Sequence, residues 1–428
     1  MRNSTAIDRI IAWEALDSRG TPTVACEVVL ADGHRGQAVV PSGASTGAHE
    51  AVELRDGGRR YGGRGVRNAV NNVVTVLAEA VQGTDAADQA EVDRLLRETD
   101  GSADLARVGA NAVLSVSIAA AIASAQAQGL PLYRAVAGAG AGEDVLLPMP
   151  MINVISGGAH AGRAIDIQDV LVVPIGATSF AEALELCWRV RAGTAEVAGE
   201  RGLMSALVAD EGGLGPALTS NRAALSLLVD GMLRAGVEPG VDASIAIDVA
   251  ASQFFDGVHY HLAADERTLT ADELVDELAG WSRDFPIVSL EDVLSEDDWS
   301  GWARATGVLG HVQLLGDDLF TTNPARLQRG VDSGTANAVL VKPNQIGTLT
   351  EAREVVRIAA AARYATVLSA RSGETEDSWL ADLAVGWRTG QIKVGSTMRS
   401  ERTAKWNRLL RIEQELGGRA RFATGEFG

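Results

Sequence analysis

The chain has 428 residues, of which 46% are hydrophobic and 22% charged, so it is long enough to bury a large core and has the composition of a globular protein. Its formal net charge of −18 argues against nucleic acid or an anionic membrane surface as the main partner, because either would require a basic surface. An anionic substrate would therefore need a local cationic pocket.

The first 60 residues are predicted to form strands and turns. Residues 23–30 alternate in polarity, which is typical of a strand, and Asp32 and Gly33 suit a turn. Residues 36–40 would form the second strand, so the pattern predicts a hairpin. From residue 66 to about 135 the pattern is helical, and residues 111–125 are apolar nearly all round, which predicts a buried helix. We therefore expect a small α+β domain over residues 1–135.

A Gly/Ala-rich stretch at residues 135–142 predicts a linker, and residues 143–428 then alternate short apolar strands with longer helices. The clearest strands are at residues 244–248, 287–291, 312–317, 338–342, 365–369 and 391–393. This alternation predicts a parallel α/β sheet, and the residues before 244 leave room to close it into a TIM-like (β/α)8 barrel.

Each of these strands ends in a residue that can carry chemistry. In strand order these residues are Asp248, Glu291, Asp317, Lys342, Ser369 and Lys393. The carboxyl ends of barrel strands meet on one face, so we expect these side chains to converge there. Three close carboxylates favour a hard divalent cation such as Mg²⁺. The alternative is that the three acidic residues are separate helix caps.

The chain contains only three lysines, Lys342, Lys393 and Lys405, among 38 basic residues. A lysine amine can be made to release its proton, whereas an arginine stays charged. Lys342 suits a general base if Mg²⁺ and Lys393 lower its pKa from about 10.4. Lys405 lies in a charged helical segment and is predicted to be exposed on the surface.

Glu211 follows residues 206–209, which have the composition of a strand, and is expected to face the same site from the opposite side. A base on one face of the substrate and a carboxylic acid on the other suit a reaction in two steps. The base abstracts a proton from the carbon beside a carboxylate, and the acid then assists β-elimination. A bound metal ion would stabilise the enolate formed between these two steps.

Nine segments together identify a family resemblance. They are Asp-Ser-Arg-Gly at 17–20, Pro-Ser-Gly-Ala-Ser-Thr-Gly at 41–47, Glu-Leu-Arg-Asp at 53–56, Gly-Ala-Asn-Ala at 109–112, Asp-Glu-Gly-Gly at 210–213, Gly-Asp-Asp-Leu-Phe at 316–320, Asn-Gln-Ile-Gly-Thr at 344–348, Arg-Ser-Gly-Glu-Thr-Glu-Asp at 371–377 and Gly-Gln-Ile-Lys at 390–393. In these segments, which span nearly the whole chain, the sequence resembles the enolases (phosphopyruvate hydratases). The resemblance implies an α+β domain preceding a modified (β/α)8 barrel, and a dimer or octamer.

The resemblance also implies a role for each matching residue. Lys342 would accept the α-proton, Glu211 would protonate the leaving hydroxyl, and Lys393 would hold the substrate carboxylate. The remaining implied residues are Asp248, Glu291 and Asp317 as ligands of a first Mg²⁺, Gln168, Arg371 and Ser372 as substrate contacts, Asp169 and His160 as further active-site residues, and Ser42 on a mobile loop that touches substrate and a second Mg²⁺.

The sequence departs from the family pattern around the substrate. Ala370 stands where the enolases have a histidine, Asp169 where they have a glutamate, and Ser156 where they have an asparagine. One interpretation is neutral drift in a glycolytic enolase that acts on 2-phosphoglycerate. The preferred hypothesis is a paralogue with a remodelled phosphate end, resembling carboxyphosphonoenolpyruvate synthase of phosphinate natural-product biosynthesis, which also takes a nucleotide-activated phosphonoformate. A binding protein without turnover is the third possibility.

Features of the ends, cysteines and hydropathy indicate the compartment. Cys26 and Cys187 suit buried free thiols in a reducing environment. The first residues lack the apolar core of a signal peptide, and no uninterrupted apolar stretch long enough to span a bilayer is expected. We therefore expect a cytoplasmic protein.

Overall fold

The computed structural model describes residues 5–43, 47–138 and 145–424. The chain begins with a three-stranded antiparallel sheet in the order β1-β2-β3, formed by β1 (Ile7–Leu16), β2 (Pro22–Leu30) and β3 (Arg35–Val39). The predicted hairpin is thus confirmed as β2–β3. Gly33 in its turn has φ of +92°, a conformation that glycine adopts without the steric cost of a Cβ.

Five α-helices follow this sheet in the chain, and some of them pack against it. They are α1 (Arg67–Asn72), α2 (Ala78–Val81), α3 (Gln89–Asp100), α4 (Ala110–Ala127) and α5 (Leu132–Ala137), with a π-helical turn at Val73–Leu77 joining α1 to α2. The linker prediction was wrong at its start, because residues 135–137 form the end of α5. The rest of the predicted linker lies almost entirely outside the described residues.

Helix α4 is the predicted buried helix, and its apolar residues pack against β2 and β3. The approach is so close at Gly36 that an added Cβ would lie 2.1 Å from the carbonyl oxygen of Ala119. By length and composition α4 could also cross a membrane, although polar residues such as Asn111 and Ser115 interrupt its apolar stretch. However, 83% of its 18-residue window is buried inside the protein, as in the core helix of a globular domain.

The larger part of the chain forms a closed barrel of eight strands. Its strands are β4 (Met149–Ser156), β5 (Asp169–Val173), β6 (Ser244–Asp248), β9 (Ile287–Glu291), β10 (Gln313–Gly316), β11 (Ala338–Val341), β12 (Ala365–Ser369) and β13 (Gly390–Gly395), and β7 (Tyr260–Leu262) pairs with β8 (Arg267–Leu269) outside it. The six predicted strands are all present. Strand β5 runs antiparallel to both β4 and β6, so the barrel departs from an all-parallel one at this point.

Helices surround the barrel, and short polar side chains begin most of them. The helices are α6 (Phe180–Glu200), α7 (Asn221–Arg234), α8 (Ala271–Asp284), α9 (Trp299–Leu309), α10 (Pro324–Ser333), α11 (Pro343–Ile346), α12 (Leu349–Ala362), α13 (Trp379–Trp387) and α14 (Ser400–Leu416). Ser179, Thr270 and Thr348, for example, each accept a backbone N–H three residues later, which satisfies a donor that the first helical turn leaves unpaired.

The amino-terminal domain packs onto the carboxyl ends of the barrel strands. Ser42 and Gly373 exchange backbone hydrogen bonds of 2.8 and 2.9 Å, and the backbone N–H of Ala51 donates to the carbonyl oxygen of Gln345. An added Cβ at Gly373 would lie 2.6 Å from the carbonyl oxygen of Ser42, so this junction requires glycine. The small domain therefore covers the barrel face on which the functional strand ends meet.

Candidate active site

The strand-end residues predicted from the sequence lie together on this face. Lys393, in β13, donates from Nζ to Oδ2 of Asp248 and Oε2 of Glu291, both at 2.7 Å. Lys342, directly after β11, donates to Oδ2 of Asp317, which directly follows β10. The structure thus brings together residues up to 145 positions apart in the sequence, because their strands are neighbours or face one another in the closed barrel.

Carboxylates outnumber lysines in this cluster, and they act to raise the pKa values of Lys342 and Lys393. Burial, the largest single effect, lowers the pKa of the Lys342 amine, but the nearby carboxylates of Asp317 and Glu291 act against it, and the net shift of the pKa is upward. The lowered pKa expected for Lys342 in the presence of Mg²⁺ therefore stays a prediction, because the upward shift belongs to the protein without a bound cation. Lys393 does lower the pKa of Lys342, as expected, but the nearby carboxylates outweigh it. The amine would release its proton readily only once a cation neutralises those carboxylates.

The three carboxylates suit a divalent cation. Burial and the neighbouring Asp248 raise the pKa of Glu291 well above its ordinary value, which indicates a deficit of positive charge. Oε1 of Glu291 is buried and has no hydrogen-bond partner, so an oxygen ligand already faces the cluster unpaired. Hard cations such as Mg²⁺ take oxygen ligands of this kind. That Asp248, Glu291 and Asp317 together hold a metal ion stays a prediction, because the three do not form one of the groups in the described part of the chain whose ligand atoms all lie within 4.8 Å of one another.

A second acidic group adjoins the cluster. Carboxylate oxygens of Asp292, Asp317 and Asp318 lie within 4.8 Å of one another. The carboxylate of Asp292 accepts the backbone N–H groups of Asp317 and Asp318 at 3.0 and 2.8 Å, which orients the loop after β10. Asp292 therefore has a role in the loop, whereas Asp317 belongs to both groups.

We expect Mg²⁺ to stabilise the protein by about 3 kcal/mol at a concentration 100 times its Kd, because it binds the folded state alone. Glu291→Gln should reduce this stabilisation strongly, since it removes the carboxylate with the unpaired oxygen. Melting curves with Mg²⁺ and with chelator measure the effect. Glu98→Gln, at a carboxylate that is 63% exposed, is the matched control and should respond as the wild type does. Equal Mg²⁺ responses of Glu291→Gln and wild type would contradict this assignment.

Another wall of the site contains His160 and Glu211, and Asp169 lies behind them in contact with His160. Nδ1 of His160 lies 3.0 Å from Oδ2 of Asp169, and Nε2 lies 3.9 Å from Oε1 of Glu211. The prediction that Glu211 follows a strand was wrong. Residues 206–209 form a loop with one isolated bridge between Val208 and Leu214. The turn at residues 210–213 nevertheless directs Glu211 into the site.

His160 and its two carboxylate neighbours shift one another's pKa values. Burial by itself lowers the pKa of the imidazole, but Asp169 and Glu211 raise it to about 9. Burial raises the pKa of Glu211, but the His160 cation and other positive groups lower it by more. In this charge state the proton on this wall is therefore held by His160 rather than by Glu211, the predicted proton donor.

The raised pKa of His160 predicts a pH-dependent contribution to stability. A group whose pKa rises from about 6.5 in the unfolded chain to about 9 in the folded protein stabilises the fold fully below pH 6.5. That stabilisation, about 3 kcal/mol, is lost as the pH rises through 9. We expect the difference in unfolding free energy between wild type and His160→Gln to decrease across this window. Urea titrations at several pH values measure it, and a constant difference would contradict the shift.

A small cavity of about 20 Å³, enough for a water molecule, lies between the two walls. The cavity is lined by His160, Gln168, Glu211, Asp248, Lys342, Ser369, Ala370, Arg371, Ser372 and Lys393. Nε2 of Gln168 donates to Oδ2 of Asp248 at 3.0 Å. A substrate of several atoms would therefore need some of the lining groups to move apart.

Two residues of the site were missed in the sequence. The carboxylate of Glu50 accepts from both Nη atoms of Arg371, at 2.8 and 3.2 Å. The buried guanidinium of Arg402 donates to the carbonyl oxygens of Arg371, Ser372 and Val394. Glu50 follows no strand, so no local signal indicated it. Arg402 could have been found from helical periodicity, because it shares a face of α14 with Leu409 and other buried residues.

The prediction that Lys405 is exposed was wrong, because its side chain is only 1% exposed. Its amine donates to Oε2 of Glu374 at 2.8 Å and to the carbonyl oxygens of Thr375 and Glu401. Lys405 therefore anchors helix α14 to the loop that contains the predicted substrate contacts.

Ser42 is buried away from the carboxylate cluster in its described contacts. Its hydroxyl donates to Oδ2 of Asp17 at 3.0 Å and accepts from Nη2 of Arg19 at the same distance. Its predicted contact with a second Mg²⁺ stays a prediction, and residues 44–46 of the same segment lie outside the described residues. Both cysteines are free and buried, which confirms that expectation.

Comparison with known protein families matches nearly the whole chain. Residues 7–136 match the family model described as the N-terminal domain of enolase, and residues 144–428 match the one described as the C-terminal TIM barrel domain of enolase. The two matches follow the order of the two structural parts described above.

Proposed function

Because the chain belongs to the enolase family, and is thus a lyase-type enzyme of that superfamily, we propose that it abstracts an α-proton from a small phosphorylated carboxylate and then eliminates water. The substrate we propose is 2-phosphoglycerate or a close relative, and the product is of the phosphoenolpyruvate type. The observation that carries this proposal is that Lys342 and the pair His160–Glu211 line the same cavity.

Lys342 is proposed as the base. Its amine lines the cavity and lies against Asp317, so it can reach a substrate only after this pair separates. Asp248, Glu291 and Asp317 would hold Mg²⁺, which supplies charge neutralisation and stabilises negative charge that develops on the substrate carboxylate. With these carboxylates neutralised, the like charge of Lys393 and the burial of Lys342 both favour the free amine.

Other cavity residues would bind and protonate the substrate. Lys393 is proposed to hold the substrate carboxylate, and Gln168, Arg371 and Ser372 to contact its other polar groups. Protonation of the leaving hydroxyl would come from Glu211, recharged by the proton that His160 holds beside it. The two walls thus separate base from acid, as an elimination requires.

The phosphate end carries the proposed difference from a glycolytic enolase. Ala370 lines the cavity beside Arg371 with only a methyl group, so it leaves space and no hydrogen-bond donor there. We propose a paralogue that accepts a second phosphorus-containing donor, such as a nucleotide-activated phosphonoformate, at this end. We also propose a cytoplasmic homo-oligomer, either a dimer or an octamer. Turnover of 2-phosphoglycerate alone by an ordinary hydratase is the alternative function.

The test is incubation of purified protein and Mg²⁺ with 2-phosphoglycerate, with and without the activated phosphonoformate. Ultraviolet absorbance follows phosphoenolpyruvate, and phosphorus NMR follows any new phosphorus-containing product. Fast turnover of 2-phosphoglycerate alone would overturn the paralogue proposal and favour the hydratase. No product in either mixture, together with unchanged ligand binding by Lys342→Ala, would favour a protein that binds without turnover.

Ala370→His is expected to raise turnover of 2-phosphoglycerate by about tenfold or more, because an imidazole there adds a donor to the phosphate end, worth about 1.5–3 kcal/mol when charge-assisted. Steady-state kinetics measure the change. Ala361→His, on the outer side of helix α12, is the control and should leave turnover unchanged. Lower activity of Ala370→His, with the fold intact, would show that the space at residue 370 is required.

A further inference from the structure

A buried polar network lies behind the acid wall of the site, centred on the carboxylate of Asp169. Its Oδ2 contacts Nδ1 of His160 at 3.0 Å, and its Oδ1 accepts from the hydroxyl of Ser156 at 3.0 Å and from the side-chain amide of Asn153. Asp169 is fully buried, and the lining of the catalytic cavity includes His160 and Glu211 but not Asp169.

A β-bulge assembles this network. Asn153 and Ser156 are three residues apart in β4, so in a regular strand their side chains would point to opposite faces. The pairing of β4 with β5 shifts between Asn153 and Ile155, which inserts an extra residue and restores both side chains to one side. Ser156 is the direct partner of Asp169 in this pairing. The strand irregularity therefore directs two hydrogen-bond donors at one carboxylate.

Tight packing fixes the network against the turn that contains Glu211. An added Cβ at Gly213 would lie 2.4 Å from Oδ1 of Asn153 and 2.7 Å from Oγ of Ser156. The backbone of this turn thus rests directly on the two donors. His160 and Glu211 are consequently positioned by the same few atoms, one through Asp169 and the other through Gly213.

We propose that Asp169 acts as a positioning residue for His160, and that Asn153 and Ser156 hold it in place, rather than Asp169 contacting the substrate. With both carboxylate oxygens engaged, Asp169 keeps a proton on Nδ1 of His160 and turns Nε2 toward Glu211 and the cavity. A carboxylate behind an imidazole fixes its tautomer and orientation in this way. The shorter side chain at residue 169 and the serine at 156 are then two parts of one arrangement.

The expected effect on turnover rests on the proposed function. The contact between Asp169 and His160 can be tested independently of turnover. The protein is labelled with ¹⁵N-histidine, and the resonances of His160 are assigned with His160→Gln. In Asp169→Asn we expect the downfield Nδ1–H resonance of His160 to be lost, because an amide replaces the accepting carboxylate. Ser156→Ala and Asn153→Ala should shift this resonance less. Asp382→Asn, at a buried carboxylate that pairs with Arg408 instead, is the matched control.

Kinetics provide the second readout. Asp169→Asn should lower kcat by about 10²–10⁴-fold with little change in KM, since the imidazole is misoriented but the substrate contacts remain. Ser156→Ala, which keeps the charge of Asp169, should lower kcat by less. A KM increase with unchanged kcat, or an unchanged His160 resonance in Asp169→Asn, would overturn the proposal. The expected spectral changes in a protein without turnover would support the positioning role while contradicting the proposed function.

Discussion

Replacing Lys342 by alanine is expected to slow exchange of the substrate α-proton with solvent by about 10²–10⁴-fold, because the base that removes this proton is lost. Lys342→Arg should be nearly as slow, since a guanidinium keeps the positive charge but does not release a proton. Exchange of deuterium from solvent into 2-phosphoglycerate, followed by NMR, isolates this step from the elimination.

The Lys342 variants also allow a check of folding and of metal binding. Arg411→Ala, at a side chain that is 76% exposed, is the control and should exchange at the wild-type rate. In Lys342→Ala, Asp317 loses its lysine partner, so Mg²⁺ should stabilise this variant at least as much as the wild type. Exchange at the wild-type rate in Lys342→Ala would contradict its assignment as the base.

Replacing Lys405 by methionine is expected to destabilise the fold by about 3–5 kcal/mol, because it leaves the buried carboxylate of Glu374 without its cation. The variant also removes a donor from the carbonyl oxygens of Thr375 and Glu401. Urea titration measures the free energy of unfolding. The effect should exceed by far that of Arg411→Ala, which lies on the same helix and is expected to stay within about 0.5 kcal/mol.

A double variant separates lost charge from lost packing at this position. Lys405→Met combined with Glu374→Gln should recover part of the stability, because no unpaired charge then remains buried. A loss below about 1 kcal/mol in the single variant would contradict the buried position of Lys405. A double variant less stable than either single one would contradict this account, in which the loss comes from an unpaired buried charge.

The two lysines show how far sequence reasoning extended at the site. Lys342 and Lys393 were found because each follows or lies in a short β-branched strand, and strand ends of a barrel meet on one face. The pairing of Lys342 with Asp317, which is 25 residues away in the sequence and raises the pKa of the amine, was not predicted. Lys405 was misplaced because its helix is rich in charges. The buried stripe that includes Trp406 and Ile412 was a signal for the opposite conclusion.

The sequence by itself determined the type and order of most elements, the barrel class and the identity of the strand-end residues. Local periodicity and turn chemistry specify these features, because they depend on neighbours within a few positions. The tertiary structure alone decided the reversed direction of β5, the pairing of Glu50 with Arg371 and the joint orientation of Asn153 and Ser156 toward Asp169. These features depend on how distant segments meet when the barrel closes, and one inserted residue in β4 is enough to reverse which way a side chain points.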